Sequence, residues 1–250
     1  VSINQSESAQ ITQRFYFQAD RLAKKIQDHF DEQEFILEQL DRALSMSQRE
    51  PMSRKAFGAL AQPALSRFPM LQAIEWVPEI PLDRHAMFEA LQKQWLPEFV
   101  ITQRNASGTI VPALNRPIYY PVTYVEPLVG NQQALGFDLG SNATRKAALL
   151  HARRADRPIA TEPVTLVQEQ GAQQGILLIR RIQSGANAPG FVVTVLRVDD
   201  FIGKLLPEGG ELTVSLVDVE QNTMIYGTHP TTAREQVSTH SLRFGGRQYH

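Results

Sequence analysis

No glycine or proline interrupts the chain between Ser6 and Arg49, and this restricts the fold more than any other feature of the sequence. Apolar or small residues recur at Phe15, Ala19, Leu22, Ile26, Phe30, Leu37, Leu40 and Leu44, in steps of three and four once the polar Gln33 is included. That rhythm is close to a heptad seam on a helix. Lys24, Lys25, Asp28, Glu32, Glu38 and Asp41 fall on the other faces. A helix of about forty residues reaches about 60 Å at 1.5 Å per residue, further than one small domain can cover. It lies along a two-domain body or forms a seam with a second copy, and the two are compatible. The seam residues would be Phe15, Leu22, Ile26, Leu37, Leu40 and Leu44, with Gln33 setting register.

The remaining composition is that of an ordinary folded chain. Of 250 residues, 42% are hydrophobic and 20% charged, enough to bury a core without staples. With 25 basic against 26 acidic residues, the net charge of -1 lacks the basic footprint of a nucleic-acid binder. The absence of cysteine excludes disulfides and thiolate metal sites. Apolar runs are short, as in Phe191 to Leu196, so nothing here spans a membrane. The chain opens at Val1 without an initiator Met and stops at His250 inside an alternating stretch. It reads as a piece of a longer protein, either a fragment of a soluble one or a part lying between transmembrane helices.

Beyond Pro51 a shorter helix is expected from Ser53 to Ser66, interrupted near Gln62 and Pro63. A strand from Leu71 to Val77 precedes a helix from Arg84 to Gln94 capped by Asp83. Strands from Glu98 to Gln103 and Ile118 to Val125 lead to a helix from Ser141, its cap, to Ala155. That helix should carry Arg145, Lys146, Arg153 and Arg154 outward. Strands Ile159 to Val167 and Gly175 to Ile182 then flank the loop from Gln168 to Gln174. The clearest break, Ser184 to Gly190, separates a second set: strand Phe191 to Val198, helix Asp199 to Leu206, and strands near 212–218, 224–226 and 238–244. The division is therefore 1–67 helical stalk and second helix, 68–184 first α+β module, and 185–250 second module lacking its last strand.

No catalytic motif occurs: neither G-x-S-x-G, H-E-x-x-H, a P-loop nor G-x-G-x-x-G. Six histidines are scattered without an i, i+4 pair, so no metal site is indicated. The chain reads as a non-enzyme without cofactor. Trp76, Tyr119, Tyr120 and Tyr124 concentrate in the first module, with Glu75 and Glu126 near them. In one continuous strand Tyr120 and Tyr124 would share a face and Tyr119 would oppose them. Such a group suits a flat amphipathic ligand or simply a sheet core with hydroxyls at its rim.

The runs YPVTYVEPLVG (Tyr120 to Gly130), ALGFDL (Ala134 to Leu139), RPIATEPVTLV (Arg157 to Val167) and GILL (Gly175 to Leu178) together resemble the CHASE domain. IEWVP (Ile74 to Pro78) and FYFQADRLAKKI (Phe15 to Ile26) fit the same resemblance. It implies an α+β fold with a long N-terminal stalk helix followed by two PAS-like modules with antiparallel sheets, membrane-distal and membrane-proximal. It further implies an extracytoplasmic sensor in a two-component or cyclic-di-GMP receptor, here the periplasmic domain of an inner-membrane protein. Such receptors dimerise through the stalk, touch the membrane only through flanking helices absent from this chain, and carry a histidine kinase or cyclic-di-GMP enzyme as output.

The resemblance places a small-molecule pocket in the distal module, lined by Trp76, Tyr120, Tyr124, Glu126, Pro127, Thr161, Val167 and Ile179. Compared with plant cytokinin receptors, Pro127 stands where an Asp binds adenine, with Glu126 beside it. Thr161 matches a pocket Thr, Val167 a Leu that contacts the ligand through its backbone, and Ile179 replaces a pocket Thr. A purine or cytokinin-like compound is one candidate, but two lost hydrogen-bonding groups argue against identical adenine recognition. The rival reading is a periplasmic protein-interaction module with no small ligand.

Overall fold

The computed structural model describes residues 2–46, 52–167, 174–182, 189–206, 208–210, 212–228 and 236–250. The breaker-free segment forms one helix, α1 (Ser2–Met46). α2 (Arg54–Arg67) follows, its first turn capped by Ser53, whose hydroxyl accepts from the Ala56 amide. The helix continues through Pro63 instead of breaking there. The first strands are β1 (Leu71–Pro78) and the short β2 (Ile80–Pro81), then α3 (His85–Gln92). Asp83 lies in a 3-10 turn ahead of α3 and makes no capping bond. β3 (Thr102–Arg104), β4 (Ile110–Pro112), β5 (Ile118–Tyr119) and β6 (Tyr124–Glu126) precede α4 (Ala143–Ala152). Asn142, one residue beyond the expected Ser141, caps α4 by accepting from the Arg145 amide. Next come β7 (Ile159–Ala160), β8 (Val164–Thr165), β9 (Gln174–Ile182), β10 (Gly190–Arg197) and α5 (Val198–Leu205). β11 (Leu216–Asp218), β12 (Thr223–Tyr226), β13 (Leu242–Phe244) and β14 (Arg247–Tyr249) complete the order. Neither Asp199 nor Asp200 caps α5; both sit in its first turn, where negative charge suits the helix dipole.

The fold is α+β, a long N-terminal helix followed by antiparallel sheets. The main sheet runs β6-β1-β10-β9-β7, with β8 also on β9. β10 is its middle strand, paired antiparallel to β1 from Leu196 opposite Leu71 to Gly190 opposite Pro78, and to β9 on its other side. This overturns the division at 184/185, because the strand assigned to the second unit is the centre of the first. A Gly- and Pro-rich stretch marks the connection of two paired strands as readily as a domain linker. The expected break itself falls largely outside the described residues, as does most of the loop from Gln168 to Gln174. The second sheet runs β12-β11-β14-β13. The alternating stretch near the end of the chain is a hairpin, turned by Gly245 and Gly246 at φ +56° and +80°.

Side chains alternate across the main sheet and divide its core. Ile74, Trp76, Ile176, Leu178, Val192 and Leu196 face α1, α2 and α5. Ala73, Val77, Leu177, Ile179, Phe191, Val193 and Val195 face α4. The cluster on the first side is continuous from the main sheet through α1 and α5 to Leu216, Leu242, Phe244 and Tyr249 of the second sheet. Phe30 is its hinge point: its ring stacks on Phe244 at 4.4 Å and Phe201 at 5.4 Å, and tilts against Tyr249 at 6.0 Å.

The apolar face expected to form a dimer seam is covered by this chain itself. Leu22, Ile26, Leu37, Leu40 and Leu44 are buried against this chain's own sheets, and Phe15 lines a cleft beside the second one. Periodicity reports that a face is covered without saying by what. Gln33, on the same face, is buried with its carbonyl oxygen unpartnered. Among the described residues no helix is long and apolar enough to cross a membrane.

Polar bonds hold α1 to the second sheet. Gln27 pairs with Arg243 like a strand, donating to its carbonyl at 2.9 Å and accepting from its amide at 2.8 Å. Glu34 accepts from the Gly245 amide at 2.6 Å, and the Gly245 carbonyl accepts from the Ala160 amide of β7. A Cβ at Gly245 would lie 2.3 Å from the Ala160 nitrogen, so only glycine permits this three-way junction. Burial lifts the Glu34 carboxyl above its ordinary value of 4.5, outweighing the Gly245 bond; Asp31 and Glu38 also raise it and Arg157 lowers it.

Two measurements test this packing. Phe30→Ala should cost about 3–5 kcal/mol in urea unfolding, whereas Phe35→Ala, at a position 58% exposed on the opposite side of α1, should stay within about 0.5 kcal/mol. Because the folded state favours protonated Glu34, its contribution to stability declines as pH rises through the raised pKa. Glu34→Gln should therefore match wild type below pH 4.5 and melt higher at neutral pH, with the gap growing through that window and then levelling.

Candidate functional site

The residues expected to line one pocket lie on two sides of the main sheet. Trp76 and Tyr124 face the helices: Tyr124 stands 6.1 Å from both the Phe57 and Trp95 rings and donates its hydroxyl to the Met52 carbonyl. Glu126 lies under α2, accepting from Gln62, with Pro127 beyond the end of β6. Tyr120, Val167 and Ile179 face α4 instead. Thr161 is buried at the β7–β8 edge, where its hydroxyl accepts from the Leu177 amide and its own amide donates to the Leu177 carbonyl. Residues 118–126 are two short strands with a crossing between them, not one strand. Tyr119, Tyr120 and Tyr124 consequently enter three separate clusters.

The α4 side is apolar and tightly packed. A Cβ at Gly140 would sit 2.6 Å from the Tyr120 ring, and one at Gly175 would sit 2.2 Å from Leu166. Within this layer lies a set of buried charges that pattern alone did not reveal. Arg145, expected on the outer face of α4, is 5% exposed, and Glu75 on β1 is 3% exposed. Nη2 of Arg145 donates to the Thr165 carbonyl at 2.7 Å, the guanidinium lies 5.5 Å over Phe137, and Nε has no partner. Burial pushes Arg145 down to about 10, against the support of Glu75, with Arg104 lowering it further.

Asp138 is fully buried as well. Its Oδ1 accepts from the Tyr120 amide at 2.8 Å and the Gly140 amide at 2.9 Å. Arg116 Nε approaches Oδ2 at 3.2 Å as an ion pair without hydrogen-bond alignment. Burial holds the Asp138 carboxyl above the usual range, although both amides and Arg116 pull it down. Glu79, also buried, pairs with Arg153 at 3.1 Å, and Arg181 reaches the Arg153 carbonyl. Burial, then Glu79, raise the Tyr120 hydroxyl. The sequence signal for Arg145 was its phase: at i, i+3, i+4 and i+7 it shares a helix stripe with Ala148, Leu149 and Ala152, all buried.

A model of the CHASE domain family matches residues 50–226, most of the chain. The chain belongs to the CHASE family of extracytoplasmic sensor domains. Among solved structures it is similar to an extracellular ligand-binding receptor from Desulfohalobium retbaense DSM5692, at TM-score 0.57 and 13% identity. That match covers 92% of this chain but only 38% of the receptor, so the chain spans well under half of that protein's length. It is also similar to the ligand-binding domain of the Pseudomonas aeruginosa PAO1 amino-acid chemoreceptor PctC in complex with GABA, at TM-score 0.43 and 18% identity, covering 82% of this chain and 70% of that one. No curated protein sequence matches the chain.

Asp138 should prove structural. Asp138→Ala leaves two buried amides without an acceptor and should cost about 3 kcal/mol, whereas Asp138→Asn keeps Oδ1 and should cost about 1 kcal/mol or less. Urea unfolding, with amide exchange followed at Tyr120 and Gly140, reads both.

Proposed function

We infer that the chain is the small-molecule-sensing part of a transmembrane receptor, and that its ligand is recognised in the layer between the main sheet and α4. The observation that carries this reading is Arg145 with its unpartnered Nε–H beside Glu75. Burying ions costs several kcal/mol each, and an apolar pair would serve the fold as well or better. A buried guanidinium with a lowered pKa is the kind of group that gathers at functional sites. The spare N–H suits a ligand offering an acceptor, such as a carboxylate, a carbonyl or a ring nitrogen, and Tyr120 can stack or hydrogen-bond beside it.

Ligand entry would have to rearrange this packed layer, and α1, which lies against both sheets, would carry the change toward the membrane. A periplasmic location and a histidine kinase or cyclic-di-GMP output accompany this reading. A receptor homodimer would use the outer side of α1, where Phe17, Phe35 and Met46 are exposed. The exposed Met87, Leu91, Ile110 and Leu114 on α3 and around β4 favour the second reading, a protein-docking surface at that end of the main sheet.

Thermal-shift and calorimetric screening of purines, cytokinins, amino acids and organic acids tests the first reading. A true ligand at one hundred times its Kd should add about 2.7 kcal/mol, or roughly 5–10 °C. Arg145→Lys, which keeps the charge but loses Nε, should weaken binding at least about tenfold. A ligand bound equally by Arg145→Lys and Tyr120→Phe would remove the site from this layer, and a panel without any hit would favour the docking surface.

A further inference from the structure

Phe15 to Ile26 of α1 stands away from the second sheet, and a cavity of about 560 Å³ lies between them. Ala19 and Ala23 present only methyl groups to it, and beyond Ile26 the helix closes onto the sheet where Phe30 stacks on Phe244. Polar bridges bound it along the helix. Gln236 donates to the Thr12 hydroxyl at 2.8 Å at one end, and the Gln27–Arg243 pair lies at the other. Its lining is apolar at Phe15, Leu22 and Ile26 of α1 and at Leu216 and Leu242 of the second sheet. The side of the cavity away from α1 also carries hydrogen-bonding groups: Ser215, Thr228, Ser238, Thr239, His240 and His250.

We propose that this cleft is a second ligand site, distinct from the layer beneath α4, and that it takes an uncharged amphipathic ring compound bearing a hydroxyl or carbonyl edge. The volume is within the roughly 300–1,000 Å³ of small-molecule sites. Among the described residues no Lys, Arg, Asp or Glu lines it, so an ionic ligand would lose hydration without a dedicated counter-charge from them. His240 is already engaged by Ser238 at 2.9 Å and by Asp20 at 3.5 Å, and the Asp20 carboxylate further disfavours an anion. A flat ring can lie on the Ala19–Ala23 surface while its polar edge meets the hydroxyls opposite.

The test uses a neutral and a charged probe of one shape, 2-naphthol and 2-naphthoate, on the whole chain at pH 7. 2-Naphthol should bind with Kd on the order of 10 μM, and 2-naphthoate at least about tenfold more weakly. Ala23→Leu fills the cleft and should weaken 2-naphthol at least about tenfold without lowering the melting temperature, while Phe35→Ala on the opposite side of α1 leaves binding unchanged. Ala19→Leu serves the same purpose if Ala23→Leu folds poorly by circular dichroism. In the wild type, the Ala19 and Ala23 methyl resonances should shift with saturation. No saturable binding, naphthoate binding as tight as naphthol, or binding that leaves both methyls unmoved would each overturn the proposal.

Discussion

The face of α1 from Leu22 to Leu44 must leave water, and the rest of the molecule is arranged around meeting that demand. At roughly 1.5–3 kcal/mol for each large side chain buried, no single sheet of this size could cover so long a stripe. The main sheet takes its upper part and the second sheet its lower part, with Phe30 packed at the join among Phe201, Phe244 and Tyr249. The two sheets therefore share one core through the helix. The Gly245 turn, bonded to Glu34 on one side and Ala160 on the other, ties the same three parts together through the backbone.

The two faces of the main sheet differ in the charge they bury. The α1 face is largely apolar; Arg180 there bridges Asp41 of the stalk and Asp156 at the sheet's margin. The α4 face holds Glu75, Glu79, Asp138 and Arg145 inside an otherwise apolar layer. Asp138 is accounted for by the amides it satisfies. Arg145, buried near Glu75, bonds the Thr165 carbonyl through Nη2 and keeps its Nε–H unpartnered, and that spare donor carries the functional reading in a CHASE-family sensor.

Local signals were read well from the sequence where they report local chemistry. The absence of breakers, the stripe on α1, the Ser53 region, the strand at Leu71 and the helix after Ser141 all appear in the structure within a few residues. Signals that depend on what lies opposite have no such local counterpart in the sequence. Ser184 to Gly190 suggested a boundary because its composition suits any turn, yet β9 and β10 pair on either side of it. The charge of Arg145 points to an outward face, yet its position on the helix matches the buried stripe. The aromatic residues around Tyr120 read as one strand in the sequence, and the crossing between β5 and β6 distributes them among three clusters.

By itself, then, the sequence determined a long amphipathic helix, an α+β body and the CHASE resemblance, because helix periodicity, turn residues and motif runs are properties of neighbouring residues. Only the tertiary structure decided that the stalk's apolar face is covered by its own chain, that β10 is central to the main sheet, and that Glu75 and Arg145 meet in the α4 layer while Trp76 and Tyr124 lie on the other side. Strand order and the partner of a buried face depend on residues more than a hundred positions apart, and a pattern of apolar residues is the same whichever surface covers it.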